Sequence, residues 1–208
     1  MKTTIFYQHV TALDFARLDL DKGIIGDSYD VNLQLDGEID EQGILYDFSH
    51  IKKRAKEIID NEFDHRLILP RSFLKQVDQR WSLDFLSSDG KRWAYVAPRE
   101  AFCCLEESCF SIECLNGVIE RTIQAQMPKN IKGVRVELTR PERQNLFFSY
   151  THGLKHHQGN CQRPFHGHRS FVQIWIDNVR REDLEKRLID EVLGDSIHFV
   201  SIEDIMNQ

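Results

Sequence analysis

The sequence contains no apolar run that approaches the ~20 residues needed to cross a bilayer as a helix. Its first residues also lack the apolar segment at the centre of a secretory signal peptide. The five cysteines are an odd number and include no pair of CxxC motifs. These absences argue against a membrane protein and a disulfide-stapled secreted domain, and we expect reduced thiols in a cytoplasmic protein.

The chain also lacks an excess of positive charge, because 27 Lys and Arg face 33 Asp and Glu. A net charge of -6 makes a general nucleic-acid partner a poor expectation, since such binding needs a positive field. A few local basic residues would still be enough for a small anionic substrate. The 208 residues are 41% apolar and 29% charged, which is typical of a globular protein with one sizeable core or two small ones.

The order of hydrophobic patterns predicts an α+β fold. Residues 28–37 alternate apolar and polar side chains, which indicates a half-buried antiparallel strand. A helix is predicted over 47–61 from the spacing of its apolar residues. Further strands are predicted at 2–16, 133–139, 145–152, 171–177 and 197–202, and further helices at 111–127 and 181–193. The helices are grouped, so an antiparallel sheet is favoured over a doubly wound parallel one.

Residues 70–108 are less regular than the rest of the chain. Within them, Asp89-Gly90 lies between two apolar stretches. Asp-Gly in this setting indicates a β-hairpin.

The strongest chemical signal is a group of five histidines among the 17 residues from His152 to His168. Residues at i and i+2 of a strand face the same side, so His166 and His168 can direct two imidazoles to one point. His152, on the preceding strand of a hairpin, can supply a third. Three imidazoles with one open coordination position describe a catalytic zinc site, and we favour this interpretation over an exposed polar loop.

Cys161 lies between these histidines and leaves a second interpretation open. As a fourth protein ligand it would close the coordination sphere, and the zinc would then be structural. His156 and His157 lie in the same segment. We assign them to solvent or to the substrate side rather than to the metal.

Three acidic or acid–base positions give weaker signals. Asp64-His65 follows the first helix and can form a proton relay, because the carboxylate fixes the imidazole tautomer. On the dipeptide alone, the simpler alternative of an exposed pair at a helix end is favoured. Glu113 begins the second helix, where interaction with the helix dipole is explanation enough. Glu137 lies in a strand, where a solvated strand face explains it equally well.

A weak internal repeat is visible in the sequence. Each copy has an apolar residue, a polar residue four positions later, and then a glycine followed by a polar residue before a strand and a helix. The first copy is Val10, Asp14 and Gly26-Asp27, and the second is Phe148, His152 and Gly167-His168. The second copy carries histidines where the first carries aspartates.

Together these motifs resemble the family of 6-pyruvoyl-tetrahydropterin synthase and 6-carboxytetrahydropterin synthase, which has the tunnelling fold. Residues 43–48 match the family's Gly-x-x-x-Asp-Phe helix start, Asp64-His65 matches its Asp-His, and residues 110–113 form a relaxed Pro-Thr-x-Glu. The resemblance implies an antiparallel sheet with helices on one face. It also implies a homo-oligomer, because tunnelling folds close barrels by association.

The order of the motifs differs from that of the family. The zinc motif should precede the first helix, but the matching positions there are Asp14, Ile25 and Asp27. We therefore predict two fused units. Residues 1–142 keep the Asp-His relay and contain the insertion at about 70–108, and the shortened unit 143–208 carries the zinc site. In the family the cysteine and the relay come from different subunits, so one half on each unit could still assemble a complete site.

The resemblance implies 7,8-dihydroneopterin triphosphate as the substrate. Zinc on the three histidines would lower the pKa of the substrate hydroxyls, and Cys161 as thiolate would be the general base. Asp64 and His65 would shuttle the second proton. A glutamate would grip the pterin edge, with Glu113, Glu137 and Glu203 as candidates. Lys155, Arg163 and Arg169 are candidates for the triphosphate.

Of the two family reactions, we predict formation of 6-carboxytetrahydropterin, on the path to queuosine, with release of acetaldehyde and triphosphate. The 6-pyruvoyl-tetrahydropterin reaction is the first alternative. A catalytically inactive, zinc-containing pterin-binding module is the second, and a zinc hydrolase of another class is the third. The binding module predicts Cys161 as a zinc ligand and no pocket beside Asp64-His65.

Overall fold

The computed structural model of the chain describes residues 2–39, 48–106, 110–140, 146–152, 165–194 and 197–199. Its strands are β1 (Lys2–Asp19), β2 (Gly23–Glu38), β3 (Leu67–Pro70), β4 (Leu74–Val77), β5 (Arg80–Leu86), β6 (Arg92–Pro98), β7 (Phe102–Leu105), β8 (Ile131–Thr139), β9 (Phe147–His152), β10 (His166–Phe171), β11 (Trp175–Ile176), β12 (Val179–Arg180) and β13 (Ile197–Phe199). Its α-helices are α1 (Phe48–Glu62), α2 (Ile112–Gln124) and α3 (Glu182–Leu188), which continues as a π-helical turn over Ile189–Leu193. Short 3-10 helices cover Arg71–Phe73 and Arg99–Ala101. Among these residues, no helix has the length and apolar character needed to span a membrane.

The largest sheet has five strands in the order β7-β3-β1-β2-β8. The predicted strand at 28–37 is confirmed as part of β2, with Val31, Leu33 and Leu35 buried. The α+β class is confirmed, but the sheet is mixed rather than wholly antiparallel, because β3 runs parallel to both β1 and β7. All four residues of β3 are buried, as is usual for a parallel strand.

Two apolar cores lie on opposite faces of this sheet. On β1, Leu13 and Phe15 belong to the core beneath α1 and α2. Ala16 and Leu18 belong to a second core, formed with the β4–β6 region. Adjacent residues of a strand face opposite sides, which explains the division. The helices α1 and α2 therefore cover one face of the sheet, and the insertion covers part of the other.

The insertion contains a three-stranded antiparallel sheet in the order β4-β5-β6. The predicted hairpin is confirmed, since β5 and β6 pair from Leu86 opposite Arg92 across the turn at 87–91. Gly90 has a φ of +83°, a conformation that glycine adopts at no steric cost. The Asp-Gly motif therefore predicted this hairpin correctly, because the turn requires a residue with this conformation.

The C-terminal strands form a second sheet in the order β10-β9-β13. The stretch 171–177, predicted as one strand, is divided between the end of β10 and the short β11. The β9–β10 hairpin lies directly against β1 and β2 at two glycines. A Cβ atom on Gly167 would lie 2.3 Å from the carbonyl oxygen of Phe15, and one on Gly26 would lie 1.9 Å from that of Tyr150. Only glycine fits at these two positions, and this close backbone contact places the candidate site. The division into two units at residue 142 stays a prediction.

Candidate metal centre and proton relay

One face of the β9–β10 hairpin carries the three histidines of the predicted zinc site. The strand register places His166 opposite His152, and His168 opposite Tyr150. The ring centroids are 4.3 Å apart for His152 and His166, and 4.1 Å apart for His166 and His168. One ring nitrogen of each histidine lies within 4.8 Å of those of the other two. The structure therefore brings the three imidazoles together in the way the sequence spacing predicts.

This donor set fits a zinc ion. Three nitrogens on a tetrahedral zinc would lie about 3.3 Å apart, so the rings need only a small approach from their present positions. The Nδ1 atom of His152 and the Nε2 atom of His166 are both shielded from solvent. Burial, followed by the neighbouring rings of His65, His168 and His152, lowers the pKa of His166 to about 3. His166 is therefore neutral at physiological pH, which is the form that binds a metal.

The Asp64-His65 pair lies in the turn that follows α1. The Oδ2 atom of Asp64 is 3.0 Å from Nδ1 of His65. The Oδ1 atom of Asp64 accepts a hydrogen bond from the backbone N–H of Asp14 at 2.9 Å, and the N–H of His65 donates to the carbonyl of Asp14 at 2.7 Å. Their side chains are only 15% and 22% exposed. The simpler alternative of an exposed pair at a helix end is therefore wrong.

The backbone of His65 has a left-handed conformation, with a φ of +58°. Few residues other than glycine adopt this conformation, although histidine does so more often than most. It is a single-residue departure in the turn after α1, three residues beyond Glu62. It gives the His65 side chain a position beside the β9–β10 hairpin.

The relay and the histidine triad meet within one chain. The rings of His65 and His166 are 3.7 Å apart, centroid to centroid, at an interplanar angle of 64°. Asp14, His65 and His166 form a second group whose potential ligand atoms lie within 4.8 Å of one another. An acid–base pair from the first half of the sequence is thus in contact with one of three potential metal ligands from the second half.

Two aromatic residues that the sequence analysis missed support this arrangement. Tyr150 lies on the histidine face, with its ring 5.2 Å from that of His168. Phe165, immediately before His166, is only 2% exposed and packs on Tyr95 of β6 and Phe102 of β7 at 5.2 and 5.5 Å. Phe165 therefore anchors the start of β10 in the core of the insertion. Alternation on the strand could have placed Tyr150 on the histidine face, but nothing local identifies the partners of Phe165.

The remaining predicted site residues fall into two groups. Glu113, in the first turn of α2, and Glu137, between buried residues of β8, are both exposed. Within the described part of the chain, neither belongs to the groups that converge on His166. The predicted base Cys161, phosphate ligand Arg163 and pterin anchor Glu203 lie outside the described residues. All of these roles stay predictions.

The fold is similar to solved structures of 6-pyruvoyltetrahydropterin synthase from Plasmodium vivax. A catalytic-residue mutant of that protein superposes with a TM-score of 0.54 at 18% identity, covering 69% of this chain and 94% of that one. The structure determined at 2.2 Å resolution gives a TM-score of 0.53 at 17% identity, with the same coverage. At this level of identity the likeness shows the fold, which is the tunnelling fold.

Sequence comparison gives the family. The sequence profile of 6-pyruvoyl tetrahydropterin synthase matches residues 19–147, more than half of the chain. A candidate 6-carboxy-5,6,7,8-tetrahydropterin synthase of Pyrococcus horikoshii is 26% identical over 130 residues, which are 62% of this chain and 76% of that protein. The chain therefore belongs to the 6-pyruvoyl tetrahydropterin synthase family. The residues that match the family profile include Asp64 and His65 but end at residue 147. The histidine triad therefore lies beyond the region that the profile matches.

Proposed function

We propose that the chain is a zinc-dependent tetrahydropterin synthase that acts on 7,8-dihydroneopterin triphosphate and forms 6-carboxytetrahydropterin, as a cytoplasmic lyase of the queuosine pathway. The contact between His65 and His166 is the observation that carries this proposal, because it joins an acid–base pair to three potential metal ligands. Family membership supports a pterin substrate. The name of the Pyrococcus horikoshii relative favours the carboxy product over the pyruvoyl product.

The chain's own groups have separable tasks in this proposal. His152, His166 and His168 would hold the zinc, which when bound supplies Lewis-acid stabilisation of substrate oxygens. Asp64, at 3.0 Å from Nδ1 of His65, would keep the proton on that nitrogen. The Nε2 atom of His65 would then exchange a proton with the substrate. The low pKa of His166 prevents protonation from competing with metal binding near neutral pH.

We also propose that the two halves of the site come from the same chain. The family arrangement implied by the resemblance places the cysteine base and the Asp-His relay on different subunits. Here the relay of residues 1–142 already contacts the triad of residues 143–208. This contact supports two fused units with complementary roles. Self-association to a homo-oligomer is part of the proposal, but the meeting of relay and triad does not depend on it.

The test is turnover of 7,8-dihydroneopterin triphosphate by the zinc-loaded full chain, with products resolved by mass. His65→Ala and Cys161→Ala are expected to lose turnover, because they remove the relay and the thiolate base. His9→Ala is the matched control, since His9 lies on β1 with a side chain that is 72% exposed. The product mass then distinguishes the carboxy from the pyruvoyl reaction.

Two other outcomes would contradict the proposal. Tight pterin binding without turnover would identify a binding module that has lost its catalytic function. Retention of zinc with neither binding nor turnover would remove the pterin function and leave only a metal-binding protein of this fold.

A further inference from the structure

Asp14 lies on β1 at the position where the resemblance places a metal ligand of the first unit. In the structure its Oδ1 atom is 3.4 Å from Nδ1 of His168, across the contact between the two hairpins. Ser28, which is directly opposite Asp14 in the β1–β2 ladder, donates its hydroxyl hydrogen to the same oxygen. The Ser28 oxygen in turn accepts the backbone N–H of Arg169 at 3.0 Å. The Asp14 carboxylate is thus tied to the metal-binding strand by two routes.

The backbone of Asp14 is tied to the proton relay. Its N–H donates to Oδ1 of Asp64 at 2.9 Å, and its carbonyl accepts the N–H of His65 at 2.7 Å. The same residue therefore contacts a ligand of the predicted metal site through its side chain and both members of the relay through its main chain. Asp14 therefore connects these two halves in addition to the direct contact between His65 and His166.

The charge state of Asp14 suits this position. Burial by itself raises the pKa of the carboxyl, but the hydrogen bonds from His168 and Ser28 outweigh burial and lower the pKa overall. The Asp14 carboxylate is therefore ionised at neutral pH, as an aspartate ordinarily is. An ionised carboxylate is a good acceptor for an imidazole N–H.

We propose that Asp14 is a positioning residue for His168: it accepts the Nδ1–H of that ring, fixes its tautomer and directs Nε2 to the metal. The inference rests on the proposed metal site and adds a residue to it. Histidines that bind metals commonly donate the other ring N–H to a carboxylate, and loss of that partner typically weakens metal binding by about 10–100-fold. In this arrangement the β1–β2 hairpin, which carries Asp14 where the second copy of the repeat has a histidine, would support the metal site of the β9–β10 hairpin.

The experiment is a zinc titration of the metal-free full chain against a chromogenic chelator. For Asp14→Ala we expect a loss of affinity of about 10–100-fold. Asp14→Asn should lose less, because its amide oxygen still accepts from His168 and Ser28 while the charge is gone. Asp30→Ala is the matched control and should bind zinc like the wild type. Asp30 is a β2 carboxylate with nearly the same exposure, 27% against 26%, and it faces His9 instead.

A second readout reports on the ring itself. In the metal-free wild type, ¹⁵N NMR should show His168 mainly as the Nδ1–H tautomer, and Asp14→Ala should shift it toward the Nε2–H tautomer. A merely structural role would not move this tautomer in a folded variant. If Asp14→Ala does not fold, Ser28→Ala, which keeps the carboxylate but removes its support, should weaken zinc binding in the same direction and to a smaller extent.

Three results would overturn the proposal. Asp14→Ala with wild-type zinc affinity and an unchanged tautomer would remove the positioning role and leave the metal site intact. X-ray absorption that finds a carboxylate oxygen on zinc in the wild type, lost in Asp14→Ala, would make Asp14 a ligand instead. Failure of the wild type to bind zinc would remove the metal site and the positioning role together, independently of whether the chain turns over a pterin.

Discussion

The β1–β2 and β9–β10 hairpins occupy corresponding places in the internal repeat, but their polar side chains have different partners. Asp27 of β2 is buried and accepts hydrogen bonds from the Tyr29 hydroxyl at 3.1 Å and from Arg140 at 3.0 Å. Its counterpart in the repeat, His168, instead directs its ring toward two other histidines. The first hairpin lies at the centre of the five-stranded sheet, whereas β9–β10 belongs to the smaller sheet beside it.

This difference shows that a position in the motif does not by itself decide what a residue does. The buried Asp27 carboxylate forms an ion pair with Arg140, whose side chain is 47% exposed. Burial, followed by the charge of Asp27, raises the pKa of Tyr29 to about 12, so that Tyr29 serves as a hydrogen-bond donor in this cluster. The imidazoles of β9–β10 have one another as neighbours. In the proposed function, the first hairpin therefore serves as scaffold and the second would carry the metal ligands.

The largest expected effect tests whether the relay and the triad of one site come from one chain. The comparison of the two hairpins would be wrong if the Asp64-His65 relay of one subunit acted at the histidine triad of another. Co-expression of His65→Ala and His166→Ala chains tests this point. We expect no recovery of turnover, because each proposed site takes both halves from one chain and every site would then lack one of them. The loss of the relay alone should be about 10²–10⁴-fold, the usual contribution of a positioned acid–base group.

Wild type co-expressed with His65→Ala is the control for that mixture, and its turnover should follow the wild-type fraction. Recovery of a substantial share of wild-type turnover in the double-variant mixture would show that subunits exchange halves of the site.

The next largest effect is expected from removing the Phe165 side chain, which anchors β10 in the core of the insertion. Phe165→Ala should lower the free energy of unfolding by about 3–5 kcal/mol, because it empties a buried aromatic site between Tyr95 and Phe102. It should also weaken zinc binding, since His166 follows directly. Phe171→Ala, at the 43% exposed end of the same strand, is the control and should change both quantities little in chemical denaturation and zinc titration.

The β1–β2 and β9–β10 hairpins contact each other at Gly26 and Gly167, which occupy equivalent positions of the repeat. A substitution at either glycine should disrupt this contact. Gly167→Ala or Gly26→Ala should each destabilise the fold by about 1–3 kcal/mol, because the new Cβ overlaps backbone atoms that cannot move aside. Either change should also reduce turnover by separating His65 from His166. Gly133→Ala on β8 is the control, since its nearest neighbour would be 3.5 Å away. Unchanged stability in both variants would mean that the hairpins do not meet in this way.

The smallest expected effect is the dependence of stability on pH in the metal-free protein. The pKa of His166 is about 3 in the fold, below its ordinary 6.5, so between these values the unfolded chain binds a proton that the folded chain does not. Stability should therefore rise with pH across this window and level off above it, by about 1–2 kcal/mol between pH 5 and pH 7. Chemical denaturation at several pH values would measure this, and His166→Asn should flatten the slope.

The sequence predicted local features well where one residue's neighbours along the chain determine its environment. The alternation in β2 gave its buried face, and the i and i+2 spacing placed His166 and His168 on one side of a strand. The Asp-Gly turn at 89–90 needed no information from elsewhere in the chain. These features depend on backbone geometry within a few residues.

The sequence did not predict which faces of the strands and helices contact one another. Nothing near Phe165 identifies its contacts with β6 and β7. The four buried residues of β3 form an apolar run too short to be distinguished from a buried helix segment by its pattern. Asp14 was read as a lost ligand, because its contact with His168 joins residues that are more than 150 positions apart. Glycine has no side chain, so the contact of Gly26 with Gly167 leaves no hydrophobic pattern to detect.

The left-handed backbone of His65 has a consequence for how the chain can be stabilised. A non-glycine residue held in a sparsely populated conformation costs the fold about 1 kcal/mol or more, and glycine at the same position would avoid that cost. His65→Gly should therefore lose less stability than the loss of its contacts implies, and it would still remove the acid–base group. A search for thermostable variants without selection for turnover should therefore sample glycine at this position.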